Sequence, residues 1–185
     1  LLAMGTLKAG DHVVCSRSVF GSTINLFAKE FGKFGVETSF VSQTDLAEWQ
    51  AAIRPTTRLL FAETPTNPLT EVCDIRALAD MAHAAGAILA VDNTYSTPIL
   101  QRPAEMGADV VMHSATKYLD GQGRVLGGAL VGSKTFIMDK VFPFVRSAGP
   151  TLSAFNAWVL LKGMETLSVR VERQSANALE IATFL

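Results

Sequence analysis

The sequence predicts an α/β domain: a mostly parallel sheet with helices on both faces. Three observations carry that reading. Apolar runs of strand length alternate with stretches of helical spacing, turn residues separate the two, and the chemically interesting polar residues fall just after the runs. Strand, helix, strand in succession is the pattern of βαβ units, and in open sheets of that kind ligands bind beyond the carboxyl ends of the strands.

The elements follow in order. His12 to Cys15 reads as the first strand, entered from the Gly10-Asp11 turn. Ser22 to Phe34 places Leu26, Phe27, Phe31 and Phe34 at helical spacing, and Val36 to Val41 reads as the second strand. Asp45-Leu46-Ala47-Glu48 has the form of a capping box and opens a short helix ending near Ile53. Arg58 to Glu63 is a third strand, closed off by Pro65 and Pro68. Ile75 to Ala85 is a helix stopped at Gly86, and Ile88 to Asp92 is the fourth strand. Val110 to His113 and Ala129 to Val131 complete the set. From Ser153 onward no strand is expected, because Leu160, Leu161, Met164, Leu167 and Val171 keep a helical period. Residues 1–150 are thus expected to form the α/β domain, with its N-terminal part missing, and 151–185 a helical exit toward a further domain. Leu1-Leu2-Ala3-Met4 reads as the tail of a helix already under way and Ala182 to Leu185 as mid-pattern, so both ends are expected to be cuts through a longer protein.

The bulk composition excludes several classes of function. At 185 residues, 49% hydrophobic and only 18% charged, the chain suits one compact core. A net charge of -1 argues against nucleic-acid or anionic-membrane partners, which attract a basic surface. No apolar run approaches the roughly 18 residues that a membrane span needs. Cys15 and Cys73 lack metal or redox spacing and are expected as free thiols, which suits a cytoplasmic location. His12 and His83 have no partner spacing, so no metal site is expected.

Four segments carry chemistry. His113-Ser114-Ala115-Thr116-Lys117-Tyr118 puts two hydroxyls at alternate positions after a strand, followed at once by a lysine. Such hydroxyls can face a phosphate while the lysine reaches the same crevice, although each residue taken alone is commonly a turn former or a solvated charge. Ala90-Val91-Asp92-Asn93-Thr94 ends the preceding strand on a carboxylate, a residue that elsewhere often serves as a helix cap. Glu63-Thr64-Pro65-Thr66-Asn67-Pro68 is a stiff turn that holds the Asn67 amide, and Ser18-Val19-Phe20-Gly21-Ser22-Thr23 offers an aromatic ring where a core phenylalanine is the commoner outcome. A carboxylate and a lysine at neighbouring strand ends match the needs of pyridoxal 5'-phosphate (PLP), which wants an acid on its ring nitrogen and an amine for its aldehyde.

Taken together and in this order, the four segments resemble the Cys/Met-metabolism PLP-dependent enzymes, and the resemblance extends through Leu161-Lys162-Gly163-Met164-Glu165-Thr166-Leu167 and Arg170. It implies a PLP-binding domain of fold-type I, like that of aspartate aminotransferase. Lys117 would be the Schiff-base lysine and Asp92 the partner of the pyridinium nitrogen, these two forming the catalytic pair. Ser114 and Thr116 would hold the phosphate, Phe20 would stack on the ring, Asn67 would sit near the phenolate oxygen, and Thr94 would line the other face. Members of the family are tetramers built from dimers with shared active sites, which implies a homotetramer acting on a small amino-acid substrate.

Two departures narrow the resemblance. Phe20 stands where many members have Tyr, which keeps the stacking, loses a hydroxyl and leaves proton transfer to Lys117. Gly121-Gln122-Gly123-Arg124 replaces a Gly-His-Ser-Asp stretch. Both point to the O-succinylhomoserine sulfhydrylase branch, and hence to γ-replacement by sulfide giving homocysteine in methionine biosynthesis. The alternatives are a cystathionine or methionine γ-lyase of the same family, or a catalytically silent PLP-fold fragment that acts as a binding or structural module. The acyl group of the ester and the sulfur donor stay open. A nicotinamide-binding glycine loop is disfavoured, because Gly121 to Gly127 leads into a strand rather than a helix.

Overall fold

The computed structural model describes residues 2–185. Leu1 and the side chain of Met4, in the segment read as the tail of a preceding helix, lie outside the described residues. A short helix α1 (Leu2–Thr6) leads into β1 (His12–Ser16). Helix α2 (Gly21–Asn25) continues as a π-helical turn over Leu26–Phe31 and a 3-10 turn over Gly32–Phe34, followed by β2 (Glu37–Val41) and α3 (Leu46–Ala52). Then come β3 (Thr57–Glu63), α4 (Ile75–Ala84), β4 (Ile88–Asp92), α5 (Thr97–Leu100) and β5 (Val110–Ser114). A π-helical turn over Ala115–Leu119 precedes β6 (Gly128–Gly132), and α6 (Lys134–Phe136), α7 (Phe142–Ala148), α8 (Ala154–Met164) and α9 (Leu167–Phe184) complete the chain.

All six strands expected from the sequence form one sheet in the order β2-β1-β3-β4-β5-β6. The first five pair in parallel; β6 returns antiparallel along β5, with Ser114 opposite Gly128. Continuous apolar runs suit such a sheet, since both faces are covered and alternate side chains go to opposite cores. Val14, Leu60, Leu89 and Val91 pack with Trp49, Ile75 and Leu78 from α3 and α4. Their neighbours Val13, Leu59, Phe61 and Ala90 pack on the other face with Phe27 and Phe31. Each large side chain buried this way contributes about 1.5–3 kcal/mol against exposure.

The capping signal at Asp45 works as read, with one change, and α4 has a cap that was not read from the sequence. The Asp45 carboxylate accepts from the N–H groups of Ala47 (2.9 Å) and Glu48 (3.2 Å), and Asp74 caps α4 through Ala77 N–H at 3.0 Å. The Glu48 carboxylate does not return to Asp45; it accepts from the Ser42 N–H at 2.8 Å and pairs with Arg17. The helices between Lys134 and Ala148 have no counterpart among the elements read from the sequence. Pro143 falls in the first turn of α7, where a proline's missing N–H costs nothing. The tail is helical as expected, and α8 and α9 fold back on the turn after β5, where Leu160, Leu167 and Val171 bury with Ala115 and Leu119. Among the described residues no helix is long and apolar enough to cross a membrane. Cys15 and Cys73 are free and buried, and desolvation pushes the Cys73 thiol up to about 11.

Candidate active site

Parallel pairing brings the ends of β3, β4 and β5 side by side, with Glu63 in register with Asp92. Asp92 is only 8% exposed. One of its oxygens, Oδ1, accepts both the backbone N–H of Thr94 (3.0 Å) and its hydroxyl (2.5 Å). The hydroxyl oxygen in turn accepts the N–H of Ser114 at 2.7 Å, which joins the ends of β4 and β5. No hydrogen bond or ion pair among the described residues engages Oδ2. Burial raises the Asp92 pKa, and the two Thr94 donors only partly oppose that shift. A buried carboxylate with one oxygen held and the other lacking a donor is suited to a cationic ring N–H.

Phe20 is not a core residue. It stands 56% exposed at the start of α2, and its N–H donates to Glu63 Oε2 at 2.8 Å. Glu63 is itself buried and its Oε1 has no partner; desolvation raises its pKa, the Phe20 N–H opposes that, and the Asp92 charge adds to it. The Asn67 amide is exposed and donates to the Tyr95 hydroxyl at 2.7 Å. Tyr95 meets Tyr118 edge-on with ring centroids 6.3 Å apart, and its pKa is raised by desolvation and by Glu63.

Lys117 is exposed on the π-helical turn after β5, where its φ/ψ of -89/-117 interrupts the helical geometry. It lines a cavity of about 310 Å³ together with Tyr95, Thr116, Tyr118 and Arg170, near the lower end of the range for small-molecule sites. A larger cleft of about 590 Å³ is lined by Ser114, His113, Thr23 and Thr151 and otherwise mostly by apolar groups such as Phe27, Phe61 and Leu130. Of the residues expected at the site, Thr116 and Lys117 line the lysine's cavity, Ser114 lines the larger cleft, and Phe20, Asn67, Asp92 and Thr94 line neither.

The structure therefore links Asp92, Thr94 and Ser114 by hydrogen bonds, and gathers Asn67 and Lys117 around Tyr95. It treats the two hydroxyls of the lysine segment differently. Thr116 Oγ1 accepts the Gly127 N–H at 3.1 Å and contacts the Gly127 carbonyl at 3.4 Å, whereas the Ser114 hydroxyl makes no such bond. Glu63 and Tyr95 were not singled out from the sequence. Glu63 carries the same signal as Asp92, an acid closing an apolar strand, and Tyr95 directly follows Thr94.

The residues fit PLP: a buried carboxylate with one oxygen lacking a donor, an exposed aromatic ring and a lysine with no ion pair among the described residues stand at or after the ends of β4, β1 and β5 of one sheet. Such a site on this sheet defines the PLP-binding domain of a fold-type I enzyme. The family described as Cys/Met metabolism PLP-dependent enzyme matches residues 1–185, and the chain belongs to it. It is 56% identical over 184 residues to an O-succinylhomoserine sulfhydrylase of Pseudomonas aeruginosa, covering 100% of this chain and 45% of that protein. It is 43% identical over 182 residues to an L-methionine gamma-lyase of Treponema denticola, covering 97% and 45%. The crystal structure of metB from Corynebacterium glutamicum superimposes with a TM-score of 0.96 at 38% identity, over 99% of this chain and 48% of that one. The chain thus spans about half the length of the relatives it matches.

Proposed function

We propose that this chain holds PLP at the carboxyl ends of β3, β4 and β5, and supplies the cofactor lysine for γ-replacement on an activated homoserine ester, O-succinylhomoserine plus sulfide giving homocysteine and succinate. The buried Asp92, with Oδ2 free of any donor, carries the reading. Identity to a sulfhydrylase supports the choice of reaction. When bound, the cofactor supplies an electron sink for carbanions at the substrate. Asp92 would pair with the ring nitrogen, Phe20 would pack on the ring, Asn67 would lie near the phenolate oxygen, and Thr94, which holds Asp92, would line the other face. Ser114 binds the phosphate through its hydroxyl, and Thr116 joins it once its hydroxyl turns from Gly127. Lys117 would hold the cofactor covalently through its aldehyde. Its amine would be the group that takes and returns protons at the substrate carbons, because Phe20 has no hydroxyl to share that work. The γ C–O bond breaks with its electron pair going to succinate, and sulfide supplies the pair for the new C–S bond.

The assembly is read as a homotetramer in the cytoplasm. The test is a PLP titration of the full chain followed by borohydride reduction and peptide mapping, then an assay with O-succinylhomoserine and sulfide. A single reduced adduct on Lys117 and homocysteine release support the proposal; adducts scattered over surface lysines would sink it. The second reading, a γ-lyase, is favoured by the identity to a methionine gamma-lyase. Ketoacid release from methionine or cystathionine without any replacement product selects it.

A further inference from the structure

We infer that Arg170 is a positioning residue for Lys117, fixing the turn that carries the lysine and tying it to α8 and α9. The inference rests on the reading of Lys117 as the cofactor lysine. Arg170 lies in the first turn of α9, at the positive end of the helix dipole, where a cation is electrostatically disfavoured. Specific bonds offset that placement. Its Nη2 donates to the Tyr118 carbonyl at 3.0 Å and to the Gly163 carbonyl at 2.8 Å, and its Nε donates to Thr166 Oγ1 at 3.0 Å. The Gly163 bond serves the last turn of α8. The Tyr118 bond serves neither helix; it reaches across to the residue after Lys117.

The surroundings close tightly on this guanidinium, and its Nη1 is buried without a hydrogen-bond partner among the described residues. A Cβ on Gly121 would stand 2.4 Å from both Cζ and Nη1 of Arg170, and Gly121 has φ +77. Its N–H closes the turn by donating to the Lys117 carbonyl at 2.8 Å. A Cβ on Gly163 would stand 2.5 Å from the Asp120 carbonyl, so α8 comes within backbone contact of the same turn. The buried Asp120 carboxylate then pins the loop that follows, accepting the Arg124 N–H at 2.6 Å and its Nε at 2.9 Å. Arg170 thus grips the turn from outside while Asp120 closes it from within. Arg170 also lines the cavity that contains Lys117.

The experiment compares wild type, Arg170→Ala, Arg170→Lys and Gly121→Ala as full chains, by amide hydrogen exchange and by borohydride trapping of added PLP on Lys117. Arg170→Ala is expected to speed exchange at residues 116–124 about tenfold, the scale of a lost hydrogen bond to a charged group, with the β1 and β3 amides unchanged. Trapping on Lys117 should slow in step. Lysine at 170 should restore part of both effects, since it keeps the charge and one donor. Gly121→Ala should reproduce the exchange pattern. Unchanged exchange at 116–124 in Arg170→Ala, or a uniform rise over the whole sheet, overturns the inference. If wild type gives no adduct on Lys117, the cofactor reading fails by itself and the exchange measurement still decides whether Arg170 holds the turn.

Discussion

Among the described residues, Thr94 supplies both hydrogen bonds that the Asp92 carboxylate accepts, one from its backbone and one from its hydroxyl, and both fall on the same oxygen. The hydroxyl oxygen also accepts from Ser114 N–H, so one side chain orients the acid and fastens it to the neighbouring strand. Thr94→Val keeps the shape and removes the hydroxyl. It is expected to cost about 1–3 kcal/mol, the penalty for orphaning a buried polar group, seen as a lower urea midpoint, with Thr94→Ser recovering most of it. An unchanged midpoint would mean that water replaces the hydroxyl.

Asp92→Asn should stabilise the chain without cofactor while weakening PLP. The folded pKa of Asp92 lies above its unfolded value, so the folded state holds the extra proton. Stability is therefore lost as pH rises from the unfolded carboxylate value through the folded one. Asparagine removes that loss. Thermal melts at pH 8 should show a higher midpoint than wild type, and the gain should vanish at acidic pH. PLP affinity should fall at least about tenfold, which corresponds to ~1.4 kcal/mol. A destabilised variant would show that Asp92 already has a favourable partner.

Glu63 separates a hydrogen-bonding role from a charge role. Glu63→Gln keeps an acceptor for Phe20 N–H and imitates the protonated acid that its raised pKa favours. Glu63→Ala leaves that N–H without its partner. The alanine variant should lose about 1–3 kcal/mol in urea unfolding and the glutamine variant much less. Equal losses would point to the charge instead.

Asp120 should give the opposite pH dependence to Asp92. Burial alone would raise its pKa, but the Arg124 N–H and guanidinium and the Gln122 N–H outweigh it and lower the value. Its contribution is present above the unfolded carboxylate range and is lost as pH falls through the folded pKa. Asp120→Asn should therefore be less stable than wild type at pH 7, with the difference shrinking toward pH 3. Melts at the two pH values check this; a gap that stays constant would sink it.

Much of the sheet was legible because Leu59, Leu60, Phe61 and Ala62, like Leu89, Ala90 and Val91, form continuous apolar runs that only a sheet covered on both faces can bury. Asp92 and Lys117 were legible as polar residues at strand ends. The partnership of Glu63 with Phe20 was not, since it depends on how the end of β3 meets the loop after β1. Thr116 was read with Ser114 as one phosphate grip because alternate spacing allows it. The bond from Thr116 to Gly127 arises only because β6 turns back antiparallel. Phe142-Pro143-Phe144 hid a helix because a proline reads as a break unless its place in the first turn is known.

One feature of the sheet, the site assembled from the ends of β3, β4 and β5, bears on how the protein is made. None of these strands brings a usable half of the pocket, and each parallel pairing waits for a long crossover to close. The pocket is therefore expected to form late in a folding chain. The yellow colour of bound PLP would then mark maturation: a ribosome-bound nascent chain should stay colourless until β5 and the lysine behind it have docked.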